Sequence, residues 1–221
     1  MSALKTLQDK IQKIIHGNDP EYLRRDALTA DKDADYMLNS PQVVGYNSTS
    51  EQQFIFQNLV IGFDPSAYSI LDIGCGRADL YGFLTEIHGP DIFGYHGIDH
   101  NPIMARLAQE KYGISTKVSA FENVELGTHD WVVASGFFTQ RRCETEDEDL
   151  RKLLVDVDRM YEAANNVVSF NLLSPINTTH HDGFFYVHPG LVLDMLIEKY
   201  HYVNIRHNYS KDVYTVSIYK I

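Results

Sequence analysis

The chain has 221 residues, 44% of them hydrophobic, which is enough to bury the core of one principal domain with a modest extension. Its formal net charge of −11 disfavours a nucleic-acid partner, because affinity for phosphate backbones comes from lysines and arginines that displace counterions. No apolar run reaches the roughly eighteen residues of a membrane span, and Cys75 and Cys143 show neither Cys-x-x-Cys nor Cys/His ligand spacing, so a cytoplasmic protein without a disulfide framework, metal site or membrane partner is expected.

In chain order, Leu4, Leu7, Ile11, Ile14 and Ile15 form one apolar helical face, ended by Gly17-Asn18. Ser40 to Ser50 is rich in turn formers and predicts a loop, and Glu51 to Ile61 predicts a second helix. These elements define an N-terminal helical cap or lid over residues 1–64, with Tyr46, Gln52 and Gln53 as candidates to touch a ligand from it. The main domain is expected over residues 65–221.

After Pro65, short apolar runs alternate with helical patterns: strand Ser69 to Ile73, a helix carrying Leu80, Phe83, Leu84 and Ile87, then strand Ile92 to Ile98. A helix opens at Asn101-Pro102, a capping residue followed by the one helical position that tolerates proline, and turns Met104, Leu107 and Ala108 inward. Strands at Thr116 to Val118, Trp131 to Ala134 and Val167 to Leu172 follow, with a helix carrying Leu150, Leu153, Leu154, Val157 and Tyr161 before the last of them. Pro189 opens a final helix through Tyr200, and Tyr202 to Arg206 and Val213 to Tyr219 read as an antiparallel pair. The alternation predicts an α/β fold with a mostly parallel sheet.

The most specific segment is Leu71-Asp72-Ile73-Gly74-Cys75-Gly76-Arg77-Ala78-Asp79, where a buried strand runs through two glycines directly into a helix. Glycine permits the tight turn and close backbone approach to a ligand at the carboxyl end of a strand, where open α/β sheets bind nucleotides. The next strand ends at Asp99, placed to accept both hydroxyls of a ribose. A dinucleotide pattern would need glycine in place of Asp79, and carboxylates at Asp72 and Asp79 would repel a pyrophosphate. S-adenosylmethionine, with a sulfonium and an ammonium and no phosphate, is the ligand those charges favour.

The stretch from Ile70 to Leu84 resembles motif I of class I S-adenosylmethionine-dependent methyltransferases, with Ala78 in place of the last glycine. More narrowly, Val44-Gly45-Tyr46-Asn47-Ser48 with Glu51-Gln52, Ala134-Ser135-Gly136-Phe137-Phe138, Ser169-Phe170-Asn171-Leu172-Leu173 and Phe185-Tyr186-Val187-His188-Pro189 resemble a group of small bacterial and phage methyltransferases without a well-defined substrate. The resemblance covers about Pro65 to Ile221 and implies a Rossmann-like three-layer sandwich, its seven-stranded sheet mostly parallel with the last strand antiparallel. It further implies Asp72, Gly74, Cys75 and Gly76 around the methionine part of the donor, Asp99 on the ribose, and His100 beside the adenine. Ala120 and Phe121 align where many relatives carry an Asp-Phe pair at the adenine, and Ser135 follows the fourth strand. S-adenosylhomocysteine would be the product.

The acceptor is less legible. Ser135-Gly136-Phe137-Phe138 stands where adenine and amide methyltransferases carry an Asn/Asp-Pro-Pro-Tyr/Phe signature, and the Pro-Cys nucleophile of cytosine C5 enzymes is absent. Asn171 to His181 predicts a polar loop whose His180 and His181 are either proton acceptors or solvated loop residues. Arg141 and Arg142 either hold an acidic acceptor or balance the acidic run Glu144 to Asp149. The expected activity is methyl transfer to an oxygen or nitrogen of a small molecule or protein. An aminopropyltransferase-like enzyme is one rival, disfavoured because Ser135-Gly136 replaces the acidic residues it places there; a donor-binding module without catalysis is the other.

Overall fold

The computed structural model describes residues 41, 45–89, 94–176 and 180–220. The chain divides into two compact units, Met1–Gln53 and Phe54–Ile221. The amphipathic pattern from Leu4 to Ile15 lies outside the described residues. Helix α1 covers Thr49–Leu59. The Ser48 hydroxyl accepts from the Glu51 amide at 3.1 Å, and the Glu51 carboxylate accepts from Asn47 N at 2.6 Å, so orphan N–H groups at the helix start are satisfied.

Residues 54–64, which sequence pattern groups with the cap, pack in the second unit for a physical reason. Phe54 meets Tyr209 edge-on at 5.9 Å, Phe56 lies 5.8 Å from Phe83, and Phe63 meets Trp131 at 5.4 Å. Arg206 also donates to the Asn58 carbonyl at 2.9 Å.

The second unit contains β1 (Ile70–Ile73), α2 (Asp79–His88), β2 (Tyr95–Asp99), α3 (Pro102–Tyr112), β3 (Lys117–Val118) and β4 (His129–Ala134), then α4 (Glu146–Ala163), β5 (Ala164–Leu173), α5 (Pro189–Tyr200), β6 (Val203–Arg206) and β7 (Val213–Tyr219). They form one seven-stranded sheet in the order β3-β2-β1-β4-β5-β7-β6. Only β7 runs antiparallel, pairing with β5 on one side and β6 on the other. This is the expected Rossmann-like topology, and its order reverses between β1 and β4, where such sheets open a crevice at their carboxyl ends.

Register assigns the faces. Leu71 stands beside Val132, while Ile70 stands beside Tyr95 and Trp131 on the opposite face. The first face joins Leu71, Ile73, Val132, Val168 and Phe170 to Leu153, Val157 and Met160 of α4 and Val192 and Leu196 of α5 in one buried cluster. Each such side chain stabilises the fold by roughly 1.5–3 kcal/mol. The second face carries α2, whose Tyr81 meets Tyr95 edge-on at 5.2 Å. Helices thus cover both faces, and three layers result.

The local signals hold in detail at α3 and α4. Asn101 accepts from Ile103 N ahead of Pro102, and Met104, Leu107 and Ala108 are buried. A capping box between Thr145 and Glu148 opens α4, with four acidic residues in its first turn. Two expectations change. Ile87, placed on the inner face of α2 by periodicity, is 56% exposed. Asn171, expected in a loop, lies buried in β5, which runs on to Leu173 because β7 supplies ladder partners as far as Val213. Among the described residues, no helix is long and apolar enough to cross a membrane, and no group of three or more His, Cys, Asp and Glu is placed to hold a metal.

Candidate functional site

The loop from Gly74 to Ala78 is fixed to the end of β2. Gly74 N and Cys75 N both donate to the Ile98 carbonyl, at 2.8 and 3.0 Å, and Ala78 N donates to Cys75 O at 2.9 Å. Gly74 and Gly76 have φ of +67° and +54°, which glycine adopts without penalty. A Cβ at Gly74 would also lie 2.9 Å from Phe137 Cδ2. Ala78 occupies the same left-handed region at φ 60°, so its methyl, where the motif usually has glycine, carries about 1 kcal/mol of strain.

Asp99 is tied into this loop more tightly than a residue at an exposed strand end. Its Oδ2 accepts from Gly76 N and its Oδ1 from Asn101 N, both at 2.8 Å, and the residue is only 8% exposed. Asp99 therefore clamps the glycine loop to the start of α3, and each of its oxygens keeps a lone pair for a further donor such as a ribose hydroxyl. His100, beside it, is exposed, with Nδ1 3.8 Å from Asp99 Oδ1.

The charges beneath the loop differ from the sequence expectation. Asp79 lies between Arg77 at 2.8 Å and Lys111 at 2.9 Å. Burial alone would raise its carboxyl, but these two cations hold it below the usual carboxylate value. Asp72 is buried and accepts a hydrogen bond from the Tyr95 hydroxyl at 2.7 Å. Burial pushes its carboxyl up to about 7 against the pull of that hydrogen bond, and Asp99 and Asp79 add repulsion. The repulsion of a pyrophosphate by two free carboxylates thus fails at Asp79, which is neutralised, and is halved near neutral pH at Asp72. Cys75 is buried and its thiol is pushed far up, so it packs and does not react.

After β3, Ala120 precedes a single 3₁₀ turn, Phe121–Asn123. Arg159 of α4 holds that turn, donating to the carbonyls of Phe121 and Val124 and standing 4.4 Å over the Phe121 ring. Phe121 is buried and meets Phe137 edge-on at 5.4 Å. Its ring is committed to the core cluster, while Ala120 before it is half-buried.

The loops after β4 and β5 are joined to each other. Past Ser135, Gly136 N donates to Asn171 Oδ1 at 2.7 Å. Phe185 N donates to Thr139 O and Arg141 N to Gly183 O, both at 2.9 Å. Arg141 pairs with Asp149 at 3.2 Å, and Arg142 pairs with Asp156 at 2.8 Å while lying 5.1 and 5.4 Å over the rings of Phe137 and Phe138. Both arginines therefore serve internal carboxylates. His180 stacks on Tyr186 at 4.3 Å and contacts the Pro175 carbonyl through Nε2 at 3.1 Å; His181 is exposed beside it, its amide donating to the Tyr186 hydroxyl. Tyr46, Gln52 and Gln53 belong to the first unit, Tyr46 before α1 and both glutamines within it.

Sequence reasoning missed Tyr95, Asn171, Arg159 and the Arg142–Asp156 pair. A tyrosine opening a strand next to motif I and an asparagine inside an otherwise apolar strand were the available signals.

No family model matches the chain, and no curated protein matches it in sequence. Solved structures do match in fold. The magnesium protoporphyrin IX methyltransferase of Synechocystis, solved with bound SAH, is 11% identical at a TM-score of 0.58, covering 92% of this chain and 100% of that one. Human N-acetylserotonin methyltransferase, in complex with SAM, is 13% identical at 0.56, covering 98% of this chain and 66% of that one. The CurJ carbon methyltransferase is 14% identical at 0.59, covering 97% and 65%. The fold is that of the Rossmann-like α/β sandwiches. Within that class it is the class I S-adenosylmethionine-dependent methyltransferase fold, at an identity that speaks for architecture alone.

Proposed function

We propose that the protein is a methyltransferase that takes its methyl group from S-adenosylmethionine and transfers it to an oxygen or nitrogen of a small-molecule or protein acceptor. The observation that carries this reading is Asp99 clamped to Gly76 N at 2.8 Å, which places an acidic strand end beside a glycine loop where the sheet order reverses. The residues fit the donor: Asp99 has acceptor capacity for the ribose, the carboxyl of Asp72 lies two residues before Gly74, and the glycine loop offers bare backbone. When bound, the donor supplies an electrophilic methyl on a sulfonium, which an acceptor lone pair takes in line as S-adenosylhomocysteine leaves. The chain's part is to hold the two aligned and, where the acceptor needs it, to pass on a proton. The joined loops after β4 and β5 form the acceptor side, with His180 and His181 as its exposed titratable groups.

The test is mass spectrometry of the purified protein for co-bound donor or product, calorimetry with S-adenosylmethionine, S-adenosylhomocysteine and NAD, and label transfer to size-fractionated cell extract. Micromolar or tighter binding of both adenosyl ligands and labelling of one fraction support the proposal. Tighter binding of NAD, or no binding of either adenosyl ligand, sinks it.

A further inference from the structure

Asp72 and Tyr95 share one face of the sheet, because Ile70 stands beside Tyr95 and Asp72 beside Gly97 in the β1–β2 register. The Tyr95 hydroxyl reaches along that diagonal to Asp72 Oδ2 at 2.7 Å. Its ring is held edge-on by Tyr81 at 5.2 Å, and Tyr112 of α3 supports Tyr81 in turn at 5.8 Å. Gly82 makes room for this stack, since a Cβ there would lie 2.3 Å from the Tyr112 hydroxyl oxygen. Tyr95 occupies Oδ2 of this carboxylate, and among the described residues Oδ1 takes no hydrogen bond and is not one of the sealed, unpartnered buried atoms. Oδ1 is therefore open to a cationic N–H group that reaches the glycine loop.

We propose that Tyr95 is a positioning residue of the donor site, its hydroxyl fixing Asp72 so that Oδ1 accepts a hydrogen bond from the ammonium at the amino-acid end of the donor. This rests on the donor reading above. Tyr95 itself does not touch the donor. The ionisable groups facing Asp72 are Tyr95 and Asp99 of β2, Cys75 of the loop and Asp79 of α2, and the cations nearest Asp79, Arg77 and Lys111, are already paired with it. With its carboxyl held near neutrality by burial, Asp72 accepts the ammonium fully only when it has lost its proton. Donor affinity therefore rises as pH passes through about 7, then falls at higher pH as the donor's own amino group loses its proton. Removing the Tyr95 hydroxyl removes a bond that favours ionised Asp72, so the acid limb moves to higher pH.

The experiment is calorimetry of S-adenosylhomocysteine and S-adenosylmethionine against the full chain from about pH 5.5 to about pH 9. Wild type, Tyr95→Phe and Asp72→Asn are compared, each with a melting curve at every pH. Expected are a bell-shaped affinity for wild type, a Tyr95→Phe curve displaced to higher pH with affinity about tenfold weaker on the acid side, and an Asp72→Asn curve that is weak with no acid limb. A Tyr95→Phe curve that superimposes on wild type overturns the inference, as does an equal loss at every pH, which marks a purely structural ring. An acid limb surviving in Asp72→Asn overturns it as well. Failure of wild type to bind either ligand overturns the donor reading instead, and separates the two.

Discussion

The two sides of the crevice at the carboxyl ends of the strands are made from different kinds of contact. On the β1–β2 side, carboxylates bind backbone and one hydroxyl: Asp99 holds Gly76 N and Asn101 N, and Asp72 holds Tyr95. On the β4–β5 side, the loop after β4 binds β5 and the loop beyond it, through Gly136 to Asn171 and Thr139 to Phe185, and Arg141 and Arg142 are spent on internal carboxylates. The first side keeps spare acceptor capacity for a cationic, hydroxyl-bearing ligand. The second is internally satisfied and presents rings and exposed imidazoles.

The largest expected effect breaks the first side. Asp99→Ala removes an acceptor for ribose hydroxyls, so donor affinity should fall at least about tenfold by calorimetry. It also leaves Gly76 N and Asn101 N without their partner, so the variant should lose about 2 kcal/mol of stability in urea. Asp99→Asn, which keeps one acceptor oxygen, should fall between alanine and wild type on both measures. Wild-type affinity and stability in both variants would disconnect Asp99 from the glycine loop and remove the main support for the donor reading.

That double effect also marks where sequence was legible and where it was not. The Gly76 to Asp99 spacing was legible because glycine at positive φ and an acidic strand end are demanded by residue type. The loss of stability at Asp99 was not, because position at a strand end says nothing of the backbone amides folded beneath it. The charge argument from Asp79 failed because Arg77, two residues away, and Lys111, 32 residues away, both pair with it, and no local pattern announces the second pairing. On the β4–β5 side even fewer signals were available, since Asn171 looks like the start of a polar loop until β7 pairs alongside it.

Arg142→Ala should sharpen the contrast from the second side. Asp156 is 1% exposed and would keep, among the described residues, Lys152 at 2.8 Å as its one paired cation, so stability should drop by about 2 kcal/mol. Donor affinity should stay within about threefold, because no group holding the donor is removed. Chemical denaturation and calorimetry on one preparation check both. An affinity loss as large as that of Asp99→Ala would mean that the two sides are energetically one.

A smaller effect, of opposite sign, belongs to Asp72→Asn without ligand. Its folded carboxyl, raised to about 7, holds a proton that the unfolded chain has released by about pH 4, so the ligand-free fold loses stability as pH rises through that window and stays penalised above it. Asparagine carries no such penalty. Melting temperature should therefore rise in the variant at about pH 8, rise less at about pH 5, and match wild type only below about pH 4. A drop at about pH 8 would show that ionised Asp72 already has a compensating cation in the free protein.

The smallest effect is expected at His180 and His181. His180 is exposed, stacked on Tyr186 and bonded to the Pro175 carbonyl, and His181 is exposed next to it, so each is solvated before any acceptor arrives. The His180 ring is turned to the Pro175 carbonyl and the Tyr186 ring, whereas general bases contribute about 10²–10⁴-fold when positioned within hydrogen-bond reach of the proton they remove. The double variant with both changed to alanine should transfer label to the active extract fraction within about twofold of the wild-type rate, with the same pH profile. His180→Phe keeps the stacking on Tyr186 and should be indistinguishable from wild type, which separates loss of a base from loss of loop packing. A fall of about a hundredfold in the double variant, with the acid limb of the rate removed and donor affinity unchanged, would instead make one of these histidines the proton acceptor and give the β4–β5 side a chemical role beyond shape.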